Sequence, residues 1–247
     1  MAADLNTSEE NLSKMTILEH LNEFRDRLVK SVAALLIGTV VSLAFTTYFL
    51  QLLIMPMGDR HPISLRPTET IIIYFKVAFV CGAVLAMPVV VYQLIRFILP
   101  GLTPDEKKYL KFVVPSAAGL FATGVAFAAF VMLPFTVKYL QSFLSDIIQP
   151  TYSIDYYISF VTTLMFWVGI VFETPLIIAF LARIGIISPQ VLTKYRKYAI
   201  VLLAVLAAVI TPTPDPINMT LVMVPLLVLY EVGVILAKIL YRPRVTA

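Results

Sequence analysis

Long apolar windows govern what this chain can fold into. About 30 Å of hydrocarbon is crossed by roughly 20 helical residues, and the sequence offers such stretches repeatedly. Four of them lie at about Val32 to Leu53, Ile71 to Leu99, Phe112 to Phe135 and Tyr156 to Leu181. Two more, Tyr198 to Ile210 and Ile217 to Ala237, are separated only by the turn Thr211-Pro-Thr-Pro-Asp-Pro216 and read as a hairpin. Lipid offers backbone amides no partners, so each window has to satisfy its own as a helix. The expected fold class is an all-α polytopic membrane protein of six transmembrane helices, the last two short. The fifth window has about 13 residues, roughly 20 Å of helix, and predicts local thinning of the bilayer.

Orientation follows from the basic residues. One side collects Lys14, Arg25, Arg27, Lys30, Arg96, Lys107, Lys108, Lys111, Arg183, Lys194, Arg196, Lys197, Lys238, Arg242 and Arg244. The other collects only Arg60, Arg66, Lys76 and Lys138, so 15 of the 19 lysines and arginines fall on one side. The positive-inside rule makes that side cytoplasmic, with both termini on it. The net charge of +4 comes from this asymmetry. No basic patch interleaved with aromatics accompanies it, so nucleic acid is not an expected partner. With 60% hydrophobic and 14% charged residues the chain is excluded from the soluble globular class. A single cysteine, Cys81, rules out an internal disulfide, and no cofactor or metal is called for. Residues Met1 to Lys14 lack the basic and then apolar layout of a signal peptide, so insertion is expected to rely on the first span. The expected organisation is a polar tail over residues 1–15, one membrane domain over 16–242 and a tail over 243–247.

Polar residues in costly places mark the function. Glu173 sits within the apolar stretch Ile158 to Leu181 with no local partner charge. A carboxylate at that depth normally faces a bundle interior, a wet cavity or another protein. Pro175 would free the Val171 carbonyl one turn away. Kinks are expected there and at Pro88 and Pro225, with Gly119 and Gly124 interrupting the third helix. Ile17 to Lys30 reads as an amphipathic helix lying along the membrane surface before turning in. Its apolar face is Ile17, Leu18, Leu21, Phe24 and Leu28, and Glu23 pairs with Arg27 at i,i+4. Thr103, Pro104 and Glu106 have capping-box spacing, and Ser188-Pro189 reads as another helix start. In the outer loop Lys138 to Asp155, Leu140, Phe143, Leu144, Ile147 and Ile148 recur at helical spacing and predict a short interfacial helix.

Four runs then occur in order: Glu19-His-Leu-Asn-Glu-Phe-Arg25, Tyr92-Gln-Leu-Ile-Arg-Phe-Ile-Leu-Pro-Gly-Leu-Thr-Pro-Asp-Glu106, Phe172-Glu-Thr-Pro175 and Thr211-Pro-Thr-Pro-Asp215. With them the chain resembles the TatC family, the multi-spanning receptor subunit of the twin-arginine, Sec-independent protein translocase. The resemblance extends from about Leu18 to Arg242. It implies a core component that recognises twin-arginine signal peptides and exports folded proteins across the cytoplasmic membrane of a prokaryote on the proton-motive force. It implies TatA-type and TatB-type single-span subunits, other copies of the chain and the lipid bilayer as partners. Carried residue by residue, it implies that Glu23 and Glu106 receive the two arginines, with Phe97 and Arg25 nearby. Glu173 corresponds to an intramembrane glutamate that contacts polar groups of the single-span partners, and Pro56 and Asp215 fall on sensitive positions. Phe24 departs from the pattern, which usually has leucine there. For Asp215 a role as a turn residue is locally sufficient.

Other classes fit less well. A small-molecule secondary transporter shares the helix count and the midplane carboxylate, but the chain lacks inverted repeats and paired broken helices. An intramembrane hydrolase needs a nucleophile, a base or a metal motif. The two histidines, His20 and His61, supply none, His20 reading as a surface or capping residue. A pure scaffold leaves the rim glutamates unexplained.

Overall fold

The computed structural model describes residues 17–58, 61–98, 110–143, 145, 147, 151–211 and 215–241. All their regular structure is helical. α1 (Ile17–Leu43) and α2 (Thr46–Ile54) are followed by a tight turn at Met55–Met57, and then come α3 (Glu69–Ile98), α4 (Leu110–Phe127) and α5 (Leu133–Ser142). α6 (Ile154–Phe172), α7 (Thr174–Arg183), α8 (Pro189–Lys194), α9 (Arg196–Ile210) and α10 (Pro216–Leu240) complete the chain. Among the described residues the one extended contact is a single parallel bridge between Ile63 and Ser153. Four stretches are long and apolar enough to cross a membrane: Glu69–Phe97, Phe112–Ser142, Ile154–Arg183 and Pro216–Leu240. A fifth is added if α1 and α2 form one broken span. α9 fills the fifth window with 15 residues, roughly 22 Å, too short to cross by length alone.

Several expectations are corrected here. α1 does not lie flat and then turn in: Ile17 to Leu43 is one uninterrupted helix. Its bend comes later, at Ala44 and Phe45, where α2 departs at 77°. The first apolar window is therefore a bent pair rather than a straight rod. The third helix is not interrupted at Gly119 or Gly124, since α4 runs through both to Phe127. The irregularity is a wide π-type turn at Ala128–Met132, directly before Pro134, whose ring nitrogen has no hydrogen to donate. Pro88 and Pro225 lie inside continuous helices, whereas Pro175 coincides with a real break at Glu173. The interfacial helix expected around Leu140 to Ile148 is absent from its described residues. α5 carries Leu140 but ends at Ser142, and Phe143 turns extended (ψ 117°), while Leu144 and Ile148 lie outside the described residues.

Glycine makes the first packing contact. A methyl built on Gly82 would lie 2.4 Å from the backbone nitrogen of Thr39, and one on Gly38 would lie 2.5 Å from the Gly82 carbonyl oxygen. The α1 and α3 backbones therefore touch, as helices do in lipid, where small residues replace the hydrophobic driving force. Tyr74 Oη donates to the Leu43 carbonyl at 2.6 Å, and Arg27 reaches Gln93 at the far end, so the pair is antiparallel. The α6–α7 stretch is central: half of its apolar window is buried, against 28% for α3 and for α10. Ile158, Val161, Leu164 and Val168 pack there with Ile73, Val77, Met132 and Leu133. Gly169 of α6 accepts the Phe121 ring and Gly124 of α4 accepts Phe172, again at distances where a Cβ would clash.

One end of the bundle is pinned through its loops. Tyr157 Oη donates to the Leu53 carbonyl at 2.7 Å, and Gln141 Nε2 to the Met57 carbonyl at 3.2 Å. Lys76 Nζ donates to Asp155 at 3.0 Å and to Ser159 at 2.6 Å, joining α3 to α6. Buried Glu69 accepts from the Leu65 amide at 2.8 Å and from Arg66 at 3.2 Å. At the opposite end Ser188 caps α8 as expected, its Oγ accepting from the Val191 amide, and Arg183 donates to the Leu240 carbonyl at 3.3 Å.

Candidate functional site

The end of the bundle where α1 begins and α3 finishes carries a polar cluster on an apolar frame. His20, Glu23, Phe24 and Arg27 recur at i, i+3, i+4 and i+7 and form one stripe of α1. On α3, Gln93 and Phe97 are one turn apart and meet that stripe. The Arg27 guanidinium donates to Glu23 Oε1 at 3.1 Å, the pair expected from spacing, and to Gln93 Oε1 at 3.2 Å. The Glu23 and Arg27 side chains are 16% and 19% exposed, and Gln93 is 8% exposed. Glu23 Oε2 and Arg27 Nε are buried with no hydrogen-bond partner among the described residues. Beside them His20 stacks on Phe97 with ring centroids 4.4 Å apart, and Phe24 meets the same ring edge-on at 5.4 Å.

This arrangement inverts the amphipathic reading. Leu21 and Leu28 on the apolar face are exposed and Phe24 is half-exposed beside Phe97, while the charged pair is the part that packs. Apolar side chains gain nothing by leaving lipid for protein, so polar groups take the helix–helix contact. His20 is exposed at the surface, as expected, and in addition stacks on Phe97. Gln93 was missed, although an amide in an apolar helix, one turn from Phe97 and near its end, was the available signal. Phe97 is brought to the cluster. Arg25 is not: it is exposed and pairs with neighbouring Asp26 at 3.2 Å. Glu106, with its capping box, lies outside the described residues.

The remaining site residues are elsewhere. Glu173 is the hinge residue between α6 and α7, 7% exposed. Its amide donates to the Ile170 carbonyl at 3.1 Å and its carbonyl accepts from Ile177 at 2.9 Å. Its Oε1 is buried with no hydrogen-bond partner among the described residues. A methyl on Gly233 of α10 would come within 3.2 Å of the Pro175 Cα, so α10 crosses close to this hinge. Pro56 lies half-buried in the turn after α2. Asp215 is the N-cap of α10: its Oδ1 accepts from the Asn218 amide at 2.7 Å and its Oδ2 from the Asn218 side-chain amide at 2.9 Å. Among the described residues no group of three histidine, cysteine or acidic side chains could hold a metal ion.

The family model of the Sec-independent protein translocase protein (TatC) matches residues 19–225, which include the stripe of α1, the end of α3 and the Glu173 hinge. The chain belongs to the TatC family. A TatC of Carboxydothermus hydrogenoformans is 36% identical over 232 residues, covering 93% of this chain and 95% of the relative. A TatC of Aquifex aeolicus is 37% identical over 236 residues, covering 93% and 98%. A crystal structure of the twin-arginine translocase receptor TatC matches with a TM-score of 0.80 at 37% identity, covering 91% of this chain and 100% of that one. The all-helical architecture is thus the TatC fold. The chain is a multi-span membrane protein of a Sec-independent protein translocase, a transport component. TatC membership gives the Glu23 cluster and the Glu173 hinge, separate in the fold, a common context of protein transport.

Proposed function

We propose that this chain is the signal-peptide receptor and core of a twin-arginine translocase in the cytoplasmic membrane of a prokaryote. It crosses the bilayer six times as one domain over residues 16–242, the bent α1–α2 pair and the short α9 each counting as a pass, with both termini cytoplasmic. Glu23 and Glu106 receive the two arginines of the signal, Phe97 backs the Glu23 side of the site, and Arg25 and Asp26 line its outer approach.

The observation that carries this reading is the Glu23 carboxylate, held at the bundle rim with one oxygen that has no hydrogen-bond partner among the described residues. Guanidinium is permanently charged and matches a carboxylate with two parallel N–H groups, whereas a lysine ammonium offers a point charge. An apolar continuation of the signal would follow the lipid-facing Leu21, Phe24 and Leu28. Glu173, buried at its hinge with an oxygen that has no partner among the described residues, contacts polar groups of TatA-type and TatB-type single-span subunits. Pro56 and Asp215 shape the outer turns beside those contacts. Folded cargo then crosses at the expense of the proton-motive force, with further copies of the chain in the assembly.

Site-specific photocrosslinking in membranes tests this reading, with probes beside Glu23, Glu106 and Glu173 and a signal peptide carrying Arg-Arg or Lys-Lys. Crosslinks at the first two sites that require Arg-Arg are the expected result. Crosslinks indifferent to Lys-Lys, or none, would remove the receptor role.

A further inference from the structure

We propose that Arg27 is a resident competitor for the Glu23 carboxylate and that Gln93 is its resting place when the signal peptide displaces it, so that this pair sets the preference for arginine over lysine. The inference rests on the receptor reading above.

The geometry is that of a guanidinium shared between two acceptors. One terminal nitrogen of Arg27 bonds Glu23 Oε1 at 3.1 Å and the other bonds Gln93 Oε1 at 3.2 Å. Arg27 therefore makes a single-point contact with the carboxylate, and buried Glu23 Oε2 has no hydrogen-bond partner among the described residues. A side-on guanidinium bonds both carboxylate oxygens and is the stronger partner. An incoming arginine can make that two-point contact. Arg27 then gives up one bond but keeps Gln93, so its charge is not stranded. Leaving a buried charge with no partner would cost far more than the exchange. An incoming lysine offers one point of contact, no better than the one Arg27 already makes, and has nothing with which to displace it. The carboxylate thus discriminates because it is already occupied.

Removing the competitor should help lysine more than arginine. Binding of an Arg-Arg peptide and its Lys-Lys variant to the full-length chain in membranes would be measured for wild type, Glu23→Gln, Arg27→Gln, Gln93→Leu and the Arg27→Gln/Gln93→Leu double variant. Arg27→Gln is expected to strengthen Lys-Lys binding by roughly tenfold, the factor associated with about one charge-assisted hydrogen bond, and to narrow the Arg/Lys ratio. Gln93→Leu is expected to weaken Arg-Arg binding, because Arg27 then has only Glu23 to hold, and the double variant should recover it. An unchanged Arg/Lys ratio in Arg27→Gln, or equal loss for both peptides, would overturn the inference and leave Arg27 a structural ion pair. If Arg27→Gln does not accumulate in the membrane, the Gln93→Leu result decides: undiminished Arg-Arg binding overturns the inference. If wild type shows no arginine preference, or Glu23→Gln does not reduce it, the receptor reading fails first, a result separable from the failure of the competitor alone.

Discussion

Glu173 is the position where the proposed function and stability should diverge most sharply. Its buried Oε1 has no hydrogen-bond partner among the described residues, and an unpaired buried polar atom costs about 1–3 kcal/mol. Glu173→Leu is therefore expected to raise the thermal stability of the purified chain and to abolish export. Measuring both on the same preparation checks the pair of outcomes, and a variant that loses export together with stability would make Glu173 a structural residue. Asp215 makes the opposite case, because its two bonds to Asn218 account for it as a cap. Asp215→Ala is expected to cost about 1 kcal/mol, the usual worth of an N-cap, and Asp215→Asn to recover most of it, read by thermal unfolding in detergent. The Glu23–Arg27 pair was legible from i,i+4 spacing. Gln93 as its third member was not, because spacing along α1 says nothing about which residue of α3 lies opposite.

Among the elements, the α1–α3 crossing depends on an absence of side chain. Gly82→Val would drive a branched side chain into the Thr39 backbone, where no flexible group can give way. Overpacking of this kind costs about 1–3 kcal/mol and would separate the helices that hold Glu23 against Gln93 and Phe97. The expected outcome is a lower melting temperature together with loss of Arg-Arg-dependent crosslinking at Glu23. A loss of stability with crosslinking intact would uncouple the crossing from the site. The windows for α3, α9 and α10 were placed within a few residues, because a helix in lipid has to begin and end with its apolar run. The breaks were less legible. The 77° bend at Ala44 and Phe45 occurs inside an apolar window with no proline or glycine at the bend. Hydropathy along the chain cannot distinguish a straight helix from a bent one, since both are equally apolar.

At the scale of the whole molecule, the two ends of the bundle differ in how they are held. The end carrying Lys76, Asp155, Ser159, Glu69 and the Ile63–Ser153 bridge is tied across several elements. The Glu23 end is tied as well, by Arg27 to Gln93, Arg183 to the Leu240 carbonyl and Arg196 to Glu231, but it also presents charge and exposed apolar surface at its rim. Orientation is checked by cysteine labelling after Cys81→Ser: a cysteine at exposed His61 should react with an impermeant reagent from outside the cell, and one at Gln190 only in inverted membranes. The opposite pattern would reverse the bundle and remove Glu23 from the side that the proposed receptor role requires.

By itself the sequence determined that the chain is helical and lives in a membrane, roughly where its long helices run, and that Glu173 is a carboxylate set within an apolar run. These follow from the length of apolar runs and the solvation of charge, both local properties of the chain. Only the tertiary structure decided that α1 continues unbroken past Lys30, that the Glu23–Arg27 pair meets α3 together with His20 and Phe24, and that Arg27 is shared between Glu23 and Gln93. Those outcomes depend on which helix lies opposite, and in lipid apolar periodicity does not choose that neighbour: close backbone contact at glycine and satisfied polar groups do.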